Sequence, residues 1–258
     1  MNILCTNDDG YDSAGIKELA AALRAAGHRV VILAPDRERS GSSHSLGMVS
    51  NATYIKNVDG APDDWICTGT PADCVLSVVS GGLNFHPDAV ASGINAGGNL
   101  GTDIVFSGTA GAARQAALCS LPGIAFSLDT NGPFDFKPAA KWAANNFENL
   151  VAALKKANAD YCANVLSPAQ KWKHLELFYN INFPPTSDFE SEPLITFPCK
   201  RRYFDCCKQV DADDGWKLLN FSEMQLETNA TKGSDADAVA KNRISLSAIK
   251  VAPDSFIK

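Results

Sequence analysis

The chain has 258 residues, of which 45% are hydrophobic and 20% charged, and a formal net charge of −6. That composition belongs to a globular protein and excludes a disordered chain. The acidic balance argues against a surface built for a nucleic-acid polymer, while leaving room for a local site that takes a small phosphate-bearing ligand. A mean hydropathy of −0.09 and the lack of a long apolar run argue against a membrane span. No basic, apolar, small-residue leader precedes Asn7-Asp8-Asp9-Gly10. A cytoplasmic setting, with the eight cysteines as reduced thiols, is therefore expected.

The first half alternates strand and helix patterns. Residues 2–6 read as a buried strand, and 14–26 as a helix with Ile16, Leu19, Ala20 and Leu23 on its apolar face. Residues 28–34 read as a second strand, followed by a polar loop over 36–47. Strands and turns are expected over 48–68. Thr70-Pro71 then opens a helix, Thr as cap and Pro in the first helical position. A third strand over 88–92 runs into the glycine-rich loop 93–101, an alanine-rich helix follows over 109–118, and 123–128 make a fourth strand.

This alternation implies right-handed crossovers and a mainly parallel sheet covered on both faces, a Rossmann-like three-layer α/β architecture. In such a sheet, ligands bind outside the carboxyl ends of the strands, where every polar loop above converges. Past a soft boundary near residue 130 the pattern changes. A helix is expected over 138–158, then β-like stretches at 161–166, 174–182, 193–206 and 215–221, and a last strand over 243–251. Residues 1–130 are thus expected to form a metal- and phosphate-binding core, and 131–258 a part that completes the fold.

Asp8 and Asp9 are adjacent acids at the end of the first strand. One carboxylate would suffice to cap a helix; two repel each other unless a cation sits beside them. Asn95, Asn99 and the surrounding glycines form the third loop, which matches neither a dinucleotide fingerprint nor a P-loop. Ser107-Gly108-Thr109 stands at a helix start, which reads either as a plain cap or as a seat for phosphate. Asp, Ser and Asn side chains offer only oxygen, the donor set of Mg²⁺ or Mn²⁺ rather than zinc or copper. A hard cation beside an anion seat points to phosphoryl chemistry with water as the nucleophile. Asp235 and Asp237 favour a helix start; the sharper alternative gives one of them the leaving-group proton.

Five motifs carry a resemblance. Asn7-Asp8-Asp9-Gly10, Ala34-Pro35-Asp36 to Ser40-Gly41, Gly69-Thr70-Pro71-Ala72-Asp73, Ser92-Gly93-Ile94-Asn95 with Gly98-Asn99-Leu100-Gly101, and Ser107-Gly108-Thr109 occur in this order. Together they resemble the stationary-phase survival protein SurE family, metal-dependent 5′/3′-nucleotidases. The resemblance implies one divalent cation per subunit held by Asp8, Asp9, Ser40 and Asn95, with Asp8 and Asp9 catalytic. It places Asn99, Ser107, Gly108 and Thr109 by the substrate phosphate. It further implies a β-rich C-terminal arm and a homodimer or homotetramer. A short-chain polyphosphatase using the same site, and a non-catalytic nucleotide-binding protein, are the rival expectations.

Overall fold

In the computed structural model, the described residues are all except 48–51, 167–173, 187–188, 190–191, 213–215 and 253–258; nothing is said of the side chains of 205–206 and 221–224. The first half comprises β1 (Asn2–Thr6), α1 (Ala14–Ala25), β2 (Arg29–Pro35), β3 (Ile55–Val58), β4 (Ala61–Cys67), α2 (Pro71–Val79), β5 (Ala89–Ala96), α3 (Gly108–Leu118) and β6 (Gly123–Leu128). A 3₁₀ turn, Gly101–Val105, precedes α3. The second half comprises α4 (Phe136–Asn164), β7 (Leu177–Phe183), β8 (Leu194–Ile195), β9 (Lys200–Asp211), β10 (Lys217–Asn229), α5 (Asp235–Ala240) and β11 (Ser245–Lys250).

Nine strands form one sheet in the order β3-β4-β2-β1-β5-β6-β7-β11-β8. Most neighbours are parallel; β3–β4 and β7–β11 are antiparallel. Strand alternation divides the core between the two faces. Ile3 and Cys5 pack with Ile16, Leu19, Phe147 and Leu154 of α1 and α4 on one face. Leu4, Val31 and Leu33 pack with Val75, Val78, Ala112 and Ala116 of α2 and α3 on the other. The three-layer α/β expectation is met, and β7 and β11 extend the same sheet past residue 130.

Local chemistry sets the boundaries. Thr70 caps α2 in a reciprocal capping box with Asp73, and Pro71 follows it. The stretch 161–166 differs from the strand reading: α4 continues to Asn164. Extending a helix fixes one residue per hydrogen bond gained, whereas a new strand here would need a pairing partner. Of the β-like stretches expected at 193–206 and 215–221, the first holds β8, which pairs with β11 at the edge of the main sheet. With the second it builds a two-stranded antiparallel hairpin, β9–β10, separate from that sheet. Residues 228–238 contain the end of β10 and the start of α5.

Candidate metal and phosphate site at the carboxyl edge

Loops after β1, β2 and β5 meet the start of α3 at the carboxyl edge of the sheet. Asp8 is 3% exposed. Its Oδ1 accepts the Thr109 hydroxyl, and its Oδ2 accepts the Gly108 N–H at 3.1 Å. A side chain cannot fit between them: a Cβ on Gly108 would lie 2.8 Å from both Asp8 Cβ and Ser42 Oγ. Asp9 accepts the Ala96 N–H at 3.2 Å. The loop after β2 is fastened to the same point, with the Arg39 N–H donating to the Asp8 carbonyl at 2.6 Å and the Ser43 N–H to the Phe106 carbonyl at 2.9 Å.

Electrostatics leaves this edge in need of positive charge. Burial pushes the Asp8 carboxyl above its ordinary range, and the Thr109 and Gly108 hydrogen bonds pull against that rise. Burial and then the charge of Asp8 push Asp9 up to about 6, with Glu38 adding to the rise. Among the described residues neither acid has a basic partner. Ser42 Oγ, beside Gly108, is buried without a hydrogen bond.

The sheet supplies the third loop through an irregularity. Register between β5 and β6 shifts between Ser92 and Asn95. Gly93 permits this, with φ +125° and Phe126 O only 2.2 Å from where a Cβ would stand. Such a bulge re-aims the residues that follow it. Asn95 Nδ2 is tied to the Gly97 carbonyl at 2.8 Å, so its amide oxygen is the atom left to offer a ligand. Asn99 is locked from behind. Its N–H donates to Asn182 at 2.8 Å, its Nδ2 to Ser127 at 2.8 Å, and its carbonyl accepts Asn180 at 2.9 Å.

A cavity of about 800 Å³ opens onto this edge, with Asp8, Ser40, Asn95, Asn99 and Ser107 in its lining. Ser40 is exposed and donates to Glu38 at 2.8 Å. Ser107 is the α3 N-cap, accepting the Ala110 N–H at 3.0 Å. Gly108 and Thr109 lie behind Asp8 instead of lining the cavity, so the anion seated on this helix start is Asp8 itself. The geometry thus brings the five lining residues together with Asp9 and sets Gly108 and Thr109 one layer back.

Asp103, Phe106 and Tyr203 line the same cavity and were missed by the sequence reading. Tyr203 lies on β9, and a contact across 100 positions leaves no local pattern. Asp235 and Asp237 take the helix-start alternative. Asp235 is fully buried and accepts the Gly101 and Cys199 N–H groups at 2.7 and 2.8 Å. The Lys241 ammonium, chiefly, holds Asp237 below the usual carboxylate range, so it is ionised at neutral pH and has no proton to give.

Mainly parallel topology and an oxygen-lined cavity at the carboxyl ends of the strands define a doubly wound α/β protein with its ligand site at that edge. The model of the Survival protein SurE family matches residues 3–205, and the chain belongs to that family. It is 37% identical over 254 residues to the 5′-nucleotidase SurE of Xylella fastidiosa, covering 97% of this chain and 90% of that protein. Identity to the 5′-nucleotidase SurE of Stenotrophomonas maltophilia is 36% over 255 residues, with the same coverage of both chains. The crystal structure of the SurE protein from Aquifex aeolicus superposes with a TM-score of 0.75 at 28% identity, covering 99% of this chain and 96% of that one.

The residues present fit a hard divalent cation. The buried Asp8 and half-buried Asp9 carboxylates lack a basic partner among the described residues, and hydroxyl and amide oxygens stand beside them. Among the described residues no group of three or more His, Cys, Asp and Glu side chains is placed to hold a metal, so neutral oxygens must complete any shell. No helix among the described residues is long and apolar enough to cross a membrane.

Proposed function

We propose that the chain is a metal-dependent phosphomonoesterase that hydrolyses nucleoside monophosphates to nucleoside and phosphate. The observation that carries this reading is the Asp8–Asp9 pair, without a basic partner among the described residues, beside a cavity that Asp8 lines with Ser40, Asn95 and Asn99. Relatives named 5′-nucleotidase support it, at 36–37% identity over nearly the whole chain.

In this reading Asp8, Asp9, Ser40 and Asn95 hold one Mg²⁺ or Mn²⁺ per subunit. Bound there, the cation supplies Lewis acidity toward the phosphoryl oxygens and a water of lowered pKa. Ser40 and Asn95 contribute as neutral donors, which limits repulsion of a dianionic substrate. Asn99 and Ser107 receive the phosphate. Gly108 and Thr109 serve it indirectly, by fixing the Asp8 carboxylate. Asp9 orients the attacking water.

Residues 131–258 complete the sheet and carry the contact between copies in a homodimer or homotetramer. The exposed apolar residues of the hairpin support this, Trp216 at 76% and Leu218 at 58% among them. A cytoplasmic setting fits the free thiols of the seven cysteines whose side chains are described. The test is phosphate release over 5′- and 3′-monophosphates and short polyphosphates with Mg²⁺ or Mn²⁺. Turnover of the nucleotides is expected, and a panel in which only polyphosphate reacts would overturn the substrate assignment.

A further inference from the structure

Two aromatic rings line the cavity. Phe106 is 57% exposed and Tyr203 is 37% exposed. They come from distant parts of the chain, and one residue ties them together. Asp103 Oδ2 accepts the Tyr203 hydroxyl at 2.8 Å and pairs with the Arg201 guanidinium. The Asp103 carbonyl accepts the N–H groups of Phe106 at 2.9 Å and Ser107 at 3.1 Å. A second strut joins the same turn to the hairpin: the Thr102 hydroxyl donates to the Arg201 carbonyl at 2.7 Å.

Arg201 answers the charge of Asp103, so Asp103 works here as a clamp. It fixes the Tyr203 ring relative to Phe106 and to the start of α3. Its other oxygen, Oδ1, is buried without a partner, in a residue that itself lines the cavity.

We propose that Phe106 and Tyr203 form the subsite for the nucleobase of the substrate, and that the β9–β10 hairpin, through the Asp103–Arg201 clamp, completes it. This rests on the phosphomonoesterase reading, which sets the phosphate at the Asp8 end of the cavity. The base of the leaving nucleoside then lies toward the rings. Stacking uses the π-face that every base has, so the subsite accepts all bases and favours purines by their larger faces.

Comparing AMP with ribose 5-phosphate isolates the base, because the two share the sugar and the phosphate. Stacking on one aromatic side chain is worth about 5- to 100-fold in affinity. Phe106→Ala and Tyr203→Ala should each lower the AMP to ribose 5-phosphate ratio of kcat/KM about tenfold, mainly through KM for AMP. Phe106→Trp should restore the ratio, whereas Phe106→Leu, of similar bulk but without a π-face, should not. Equal losses on both substrates, or rescue by leucine, would overturn the proposal.

Adenosine binding by equilibrium dialysis reads the subsite with no reaction involved. It should weaken about tenfold in Phe106→Ala, and unchanged binding would overturn the subsite. A parent protein that binds adenosine through these rings but releases phosphate from neither ester would overturn the proposed activity and leave the subsite standing.

Discussion

The two ends of the chain solve the burial problem in opposite ways. Every residue of β6 is buried, and β1 and β2 are buried except at their first residues. The β9–β10 hairpin leaves Val210, Trp216, Leu218 and Leu219 at least half exposed. The edge of the sheet can hold the Asp8 carboxylate out of water because the start of α3 fixes the Gly108 and Thr109 groups that bond to it. No described side chain of the two hairpin strands is buried, and a lone two-stranded ribbon is marginal in water. It is anchored at its base by Asp103 and Arg201, and apolar residues near its tip stay exposed. The proposed chemistry thus sits at the edge of the buried sheet, and the proposed contact between copies on the exposed hairpin.

The largest effect that would sharpen this contrast lies at the carboxylate pair. Asp8→Asn or Asp9→Asn should cut kcat/KM for AMP by about 10²-fold or more, equivalent to about 3 kcal/mol of transition-state stabilisation. Circular dichroism should show both variants folded, because each loses a charge and keeps its volume. An active Asp8→Asn would place the chemistry elsewhere.

Next in size is a change in the core that touches no ligand. Gly93→Ala puts a methyl group 2.2 Å from Phe126 O at a φ that alanine resists. It should cost about 2–4 kcal/mol in urea unfolding. A loss under 1 kcal/mol would mean that the β5 bulge relaxes easily.

The acids themselves should shape stability in chelated protein. Asp9 has its folded pKa raised to about 6, so its contribution is fully present below pH 4 and lost as pH rises through 6. Asp9→Asn should therefore be more stable than the parent at pH 7.5 in EDTA, by about 2 kcal/mol, with the gap closing toward pH 4. Melting curves at the two pH values check this, and a gap independent of pH would contradict it.

Smaller still is the effect of Thr109→Val, which removes the hydroxyl that holds Asp8. Losing a hydrogen bond to a charged group costs about 1.5–3 kcal/mol, shared here between stability and cation affinity. Mn²⁺ binding should weaken about tenfold. Inhibition by inorganic phosphate, compared at saturating Mn²⁺, should change less than it does in Ser107→Ala. The reverse order would return Thr109 to the phosphate.

The smallest effect on stability belongs to the hairpin. Trp216→Ser with Leu218→Ser should change the intrinsic stability of the chain by no more than about 0.5 kcal/mol, as exposed positions do. The mass measured by light scattering should fall. An unchanged mass would break the division of labour between core and hairpin.

What the sequence made legible follows the same division. Strands buried on both faces announce themselves as apolar runs, so β1, β2 and β6 are readable within a residue or so. Asp8 and Asp9 stand out because two acids at a strand end have no cheap structural explanation. The hairpin is readable only in part: β10 extends to Asn229 through pairing with Lys200, and in 222–229 only Met224 and Leu226 interrupt a run of polar residues. Asp103 and Tyr203 escaped notice because their relation is made by tertiary docking. Ser107-Gly108-Thr109 reads locally as a cap or a phosphate seat, and local sequence cannot tell that Asp8, a hundred residues away, takes donors there.

The central claim is that the Asp8–Asp9 edge binds the divalent cation that phosphate release requires. Phosphate release from AMP, followed in metal-stripped protein as Mn²⁺ is titrated in, tests it most directly. The account predicts no turnover in EDTA and activity that rises to a plateau with one bound Mn²⁺ per chain, with the parent's response lost in Asp9→Asn. Full activity in EDTA, or an unaltered Mn²⁺ response in that variant, would contradict it.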